Sequence, residues 1–278
     1  MKTRANDVQS FLQKHWLIQG LVRIPIQLDA LCYTWEDLNP GDMPNSMTGI
    51  YRAIVQKLWR KDVLRLEKKI GGPVRSARPH EINRSVEAEI ALLECLAFNG
   101  LHSDIIDFTQ EHRDEVVESF PHKLDLLLDE TLGRLSFMRT SDTSSKIEDR
   151  NYHFLHLTFQ EYFAARYFVQ QWKDKKRLKY VFKGEKNTQS YPPTAITDFL
   201  RRYKYSAHYD VFWRFVAGPL AAEGEKEVVD FFDAIEEEPL DLLGPTHQRL
   251  VMHCLSEVTW LPIRSSLEAI LAQWLLFE

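Results

Sequence analysis

The sequence predicts a mainly α-helical fold with one small β wing. Three observations predict it. Apolar residues recur at helical spacing along nearly the whole chain. That period changes to strand-like alternation at only one place, between positions 134 and 156. Helix-starting signatures precede several of the periodic stretches.

In chain order, Val8, Phe11, Leu12 and Trp16 follow helical spacing after the cap candidates Asn6 and Asp7. In LVRIPIQLDALCYTW (21–35), Pro25 suits the first turn of a helix, where its missing N–H removes no bond. Ile26, Leu28, Leu31, Cys32 and Trp35 can then face inward. Residues 37–46 form a Pro/Gly/Asn loop. Ser46 is placed to cap a long helix carrying Ile50, Ile54, Leu58 and Val63, which Gly71, Gly72 and Pro73 end. A helix is expected from Ile82 to Asn99, then two more over 103–119 and 123–132.

RLSFMRT (134–140) and NYHFLH (151–156) read as two short strands around a polar loop, 141–150. Tyr152, Phe154 and His156 share one face, and His153 and Leu155 the other. Helices followed by such a wing make a winged-helix unit. Thr158 and Glu161 form a T-x-x-E capping box that starts the next helix. Phe159, Tyr162, Phe163, Val169 and Trp172 give that helix a wide aromatic face, read as a packing spine. Further helices are expected near 192–203, 208–222, 225–236, 245–258 and 265–276, the last opened by a second box, Ser265 and Glu268. Amphipathic helices in series without a fixed repeat suit the start of an α-solenoid. The organisation is thus a helical subdomain over 1–80, a winged-helix unit over 81–172 and a helical tail over 173–278.

Composition narrows the function. The 278 residues include seven Trp, ten Tyr and sixteen Phe, enough aromatics for a sizeable core. The net charge of -5 argues against a general nucleic-acid binder. The loop 141–150 carries Lys146 and Arg150 but also Asp142, Glu148 and Asp149, a poor phosphate reader. The three cysteines Cys32, Cys95 and Cys254 lie far apart in apolar stretches, the pattern of free thiols in a reducing compartment. No apolar run approaches ~18 residues, so no membrane span is expected. The N-terminus lacks an apolar signal core. A cytoplasmic protein is the expectation.

Catalytic motifs are absent. No G-x-x-x-x-G-K-[ST], G-x-S-x-G, H-E-x-x-H or G-x-G-x-x-G occurs. His112, Arg113 and Asp114 imitate a kinase catalytic triplet, but Ser119 stands where an Asn is needed, so the segment reads as an exposed helix. His247, His253 and Cys254 lack the further ligands of a closed zinc site and read as a core thiol with surface or capped imidazoles. Lys173, Lys175, Lys176, Arg177 and Lys179 form a basic run, read as a solvated helix face.

FLHLTFQEYFAARYF (154–168) resembles the segment that closes the winged-helix part of NACHT proteins, the STAND-class NTPases that include NOD-like receptors and fungal repeat-bearing members. LVRIPIQLDALCYTW (21–35) resembles the helical segment after their NTPase core. FWRFVAGPLA (212–221) and DLLGPTHQRLVMHCLSEV (241–258) resemble the helices that lead into their repeats. The resemblance implies two cofactor-binding residues. Pro25 matches the Pro that packs on the adenine side, and His156 the His that reaches the β-phosphate of ADP. It implies ADP or ATP as the cofactor of the parent architecture. It also implies protein partners, namely the NACHT core or a repeat-domain ligand; charge and hydropathy add the expectation of no nucleic acid and no membrane. Most phosphate affinity in such sites comes from a P-loop, its Lys and Mg²⁺. This chain carries no P-loop, so it is expected to hold ADP poorly and to keep no cofactor alone. The expected role is a non-catalytic, nucleotide-state-sensing and interaction segment. The alternative is a helical interaction scaffold with no nucleotide role.

Overall fold

The computed structural model describes residues 2–14, 25–35, 46–119, 128–140, 149–182, 192–241 and 245–258, with isolated positions besides. The fold is mainly helical, and the described residues contain a single two-stranded sheet. The chain divides into two compact units, residues 1–86 and 87–278.

The first unit begins with α1 (Lys2–Lys14) and α2 (Pro25–Thr34). Val8 and Phe11 of α1 are buried, and the Phe11 ring meets Trp35 edge-on at 5.4 Å. The third helix, α3 (Met47–Arg65), starts where its cap predicts: Ser46 Oγ accepts the Gly49 N–H at 3.1 Å. Ile50, Ile54 and Val63 are buried on α3 as expected, but Trp59 takes the core position assigned to Leu58. The helix also ends well before Gly71. Glu67 adopts a left-handed conformation (φ 55), and the Lys68 and Glu67 amides close back on the Val63 and Leu64 carbonyls at 3.0 and 3.2 Å. A glutamate thus does the work usually left to glycine, which is why a glycine-based boundary lies too late. A 3₁₀ turn (Val74–Ser76) and α4 (Pro79–Ser85) complete this unit.

In the second unit, α5 (Glu87–His102) begins after a break at Val86 (φ -119, ψ 26), so the expected helix over 82–99 is two helices. A left-handed Asp104 (φ 57) follows α5. Of the helix expected over 103–119, only α6 (Gln110–Ser119) forms. Before it, Phe108 pairs with Tyr152 as an isolated bridge, through mutual backbone bonds of 2.7 and 3.1 Å. Next come α7 (Leu128–Arg134), β1 (Met138–Thr140) and β2 (Tyr152–Phe154). The strands pair antiparallel, Met138 opposite Phe154 and Thr140 opposite Tyr152. Tyr152 and Phe154 face the core, in keeping with the alternation.

The helix α8 (Leu157–Lys173) is the axis of this unit, packed by α5, α10 (Asp210–Glu223), α9 (Ile196–Tyr203) and β2. It buries residues on every side, Phe159, Phe163, Ala164, Ala165 and Phe168 being almost fully enclosed. A helix apolar around its circumference is one that neighbours surround. At the α5 crossing, Gly100 leaves room for two side chains: a Cβ there would meet Gln160 Nε2 at 2.6 Å and the Phe108 ring at 2.7 Å. Arg166 spans the same interface to Glu94 at 2.8 Å. Phe98, Phe168, Phe199, Phe212 and Trp213 interlock with ring centroids 4.8–6.3 Å apart, joining four helices.

Beyond α10, Gly224 (φ 148, ψ 170) joins directly to α11 (Glu225–Glu236), a turn that a side chain would strain. The buried Lys204 donates through Nζ to the Ile235 carbonyl at 2.8 Å and to that of Glu237, satisfying the C-terminus of α11. Next, α12 (Thr246–Leu255) packs against α10. The helix expected over 265–276, with its Ser265 box, falls almost entirely outside the described residues, as does most of the loop 141–150.

Candidate functional site

His156 stands at the junction of β2 and α8. The expected Thr158–Glu161 capping box is not what starts this helix. His156 is itself the N-cap: its Nδ1 accepts the Thr158 N–H at 3.2 Å and lies 2.9 Å from Thr158 Oγ1. The helix therefore begins at Leu157, and Glu161 falls one turn further in, where it is buried. Burial, and secondarily the Asp210 charge, push its carboxyl up to about 8. Asp210 itself is held below the usual range by its hydrogen bond with His253 at 3.2 Å.

The cap settles the chemistry of His156. A backbone N–H can only donate, so Nδ1 accepts and the ring proton sits on Nε2. Burial lowers the imidazole's affinity for a second proton, which favours the neutral ring. The arrangement is a neutral imidazole, half-buried at a helix N-terminus, with Nε2–H as its donor. Pro25 opens α2 at its first position, with an exposed side chain, as a helix-start proline should. It belongs to the first unit and His156 to the second.

Several other residues singled out by sequence have structural partners. The helix α6 is exposed along much of its surface, but Arg113 lies on its buried face. It is buried, donates from Nη1 to the Arg150 carbonyl at 2.7 Å and the Phe108 carbonyl at 3.3 Å, and stacks over the Tyr152 ring. It thus fastens α6 to the hairpin. His247 meets the Tyr205 hydroxyl at 2.9 Å and Glu236 at 3.2 Å. Cys95 and Cys254 are fully buried, and burial raises both thiols far above the range in which they react. Cys32 is half-buried. Among the described residues, no three His, Cys, Asp or Glu side chains gather as a metal site would require. No described helix is long and apolar enough to cross a membrane.

Cavities among the described residues include one on α6 and one beside the basic run. The first, of about 340 Å³, runs along α6 and is lined by Gln110 and four carboxylates of that helix alone. The second, of about 310 Å³, lies where the basic run after α8 meets α9 and α11. The sequence pointed to the basic run but gave no sign of its α11 neighbours.

A domain family of unknown function, DUF7068, matches residues 3–46, a segment that holds α1, α2 and Pro25 and stops short of His156. No curated protein matches the chain.

Proposed function

We propose that the chain is the regulatory, nucleotide-state-sensing and interaction portion of a NACHT-type signalling NTPase, non-catalytic by itself and cytoplasmic. The observation that carries this reading is the state of His156. Its Nδ1 is occupied by the α8 N-terminus, so its one remaining polar atom is a donor, which is what contact with a phosphate oxygen requires. A ligand held by that donor in one nucleotide state and released in another would bias the hairpin–α8 unit between two arrangements. ADP or ATP would be bound chiefly by a P-loop supplied by the NTPase core, with Pro25 contributing on the adenine side. The tail helices α9–α12 would engage protein partners.

The test is calorimetric titration of the chain with Mg-ADP into the millimolar range, beside His156→Ala and His156→Asn. Asparagine keeps a cap acceptor but not the distant donor, so it holds α8 stability while Ala lowers it by ~1 kcal/mol. Sensing predicts weak saturable heat, weakened by both variants by ~1–3 kcal/mol. A flat titration, or binding indifferent to both, overturns nucleotide sensing by this chain and leaves a helical interaction scaffold.

A further inference from the structure

Three stretches distant in sequence converge on the cavity of about 310 Å³. The end of α8 and the residues after it supply Trp172, Lys173, Lys175, Lys176 and Arg177. The first turn of α9 supplies Ile196 and Thr197, and α11 supplies Lys226. A pair of backbone bonds between Leu178 and Thr194, 2.9 and 3.1 Å, pins the basic segment beside the start of α9.

The ordinary explanation of such cations is helix stability, and it covers only part of the set. Lys173 ends α8, where the helix dipole favours positive charge, and pairs with Glu223 at 2.7 Å; Lys176 pairs with Asp174 at 2.6 Å. Lys175, Arg177 and Lys226 meet no carboxylate within ion-pair distance among the described residues. Lys226 lies in the first turn of α11, where the dipole disfavours a cation. Arg177 is fixed by Nε donating to the Pro193 carbonyl at 2.8 Å, which orients a planar fork suited to phosphate. Ala195 begins α9 with no side-chain acceptor, so no cap side chain takes up the amides of that first turn. Half-buried Trp172, braced edge-on by Phe231 at 6.0 Å, supplies an apolar wall.

We propose that this cavity binds a small phosphorylated anion, its phosphate held by Lys175, Arg177 and Lys226. Glu227 and Asp230 of α11 also line the cavity and disfavour an extended polyanion, so the ligand is compact. The proposal uses none of the residues of the nucleotide contact assigned to His156.

The probe is tripolyphosphate, titrated into the full chain at low and near-physiological salt, with citrate in parallel. The variants are Lys226→Glu and Lys175→Gly. Lys175 has φ 52, a conformation shared by Glu67 and Asp104 and therefore no sign of a ligand by itself. It does make glycine the natural replacement: Lys175→Gly removes the cation and melts no lower than the parent. The expected result is saturable, salt-weakened tripolyphosphate binding, about tenfold weaker in each variant and unchanged in His156→Ala. Failure to saturate at millimolar tripolyphosphate, affinity unmoved by both variants, or equal binding of citrate would overturn the proposal. Binding of RNA without binding of tripolyphosphate would overturn it too.

Discussion

Glu161 is the most exacting test of the packing around α8. Its carboxyl is enclosed between α8 and α10 and titrates near 8 instead of 4.5, chiefly because burial disfavours the charge and secondarily because Asp210 is already negative. The folded protein therefore holds this proton more tightly than the unfolded chain does. Stability from this group is fully present below pH 4.5 and is lost as pH rises through about 8. Between pH 4.5 and about 7 the loss amounts to about 3 kcal/mol from this group alone. Glutamine has the same shape and does not titrate. Glu161→Gln should therefore gain on the parent by about 3 kcal/mol over that interval, and its lead should widen further toward pH ~8. Denaturant unfolding followed by circular dichroism across this range measures the difference directly. Parallel stability–pH curves for the two proteins would show that the carboxyl titrates normally, and the burial argument would fall.

Two further predictions concern the same core. His102, packed against Tyr180 and bonded to the Tyr209 hydroxyl at 3.1 Å, is lowered to about 4, first by burial and then by Arg202 and His208. The unfolded chain binds this proton more tightly, so its contribution is present above pH 6.5 and is lost as pH falls toward 4. Allowing for solvent screening, the loss is about 2 kcal/mol, read as a slope on the acid side that His102→Phe flattens. Gly100→Ala should destabilise by ~1–3 kcal/mol in a thermal melt, although alanine favours helices, because buried Gln160 and Phe108 leave its Cβ no room; a higher melting temperature would refute the close approach.

How much could be read in advance depended on whether the cause was local. The Ser46 cap, the span of α11 and the alternation at Tyr152 and Phe154 follow from neighbouring residues, and the structure has them where the sequence places them. Helix ends carried by Glu67 and Asp104 escaped notice because any rule keyed to glycine passes over them. The bridge at Phe108 exists because Tyr152, far along the chain, supplies its hydrogen-bond partners. Arg113 reads as solvent-facing for the same reason: the carbonyl it meets most closely, that of Arg150, lies on a distant segment. At the candidate site, His156 is named only through the resemblance of the segment around it, and the capping role falls by residue type to Thr158, which has the stronger capping statistics. The basic run was visible, whereas Lys226 joins it only through the packing of α11 beside α9.

The enclosure of α8 bears on where this chain can be divided. One flank of the helix rests on α5 and the hairpin, the opposite flank on α10, and Phe168 touches rings from both α9 and α10. A protein cut after Lys173 would bare that second flank to water, so it should aggregate or melt where the whole folds. Helices α9 and α10 are therefore not an appendage that evolution or an experimenter could exchange freely. They form the other half of the mould in which α8 is cast.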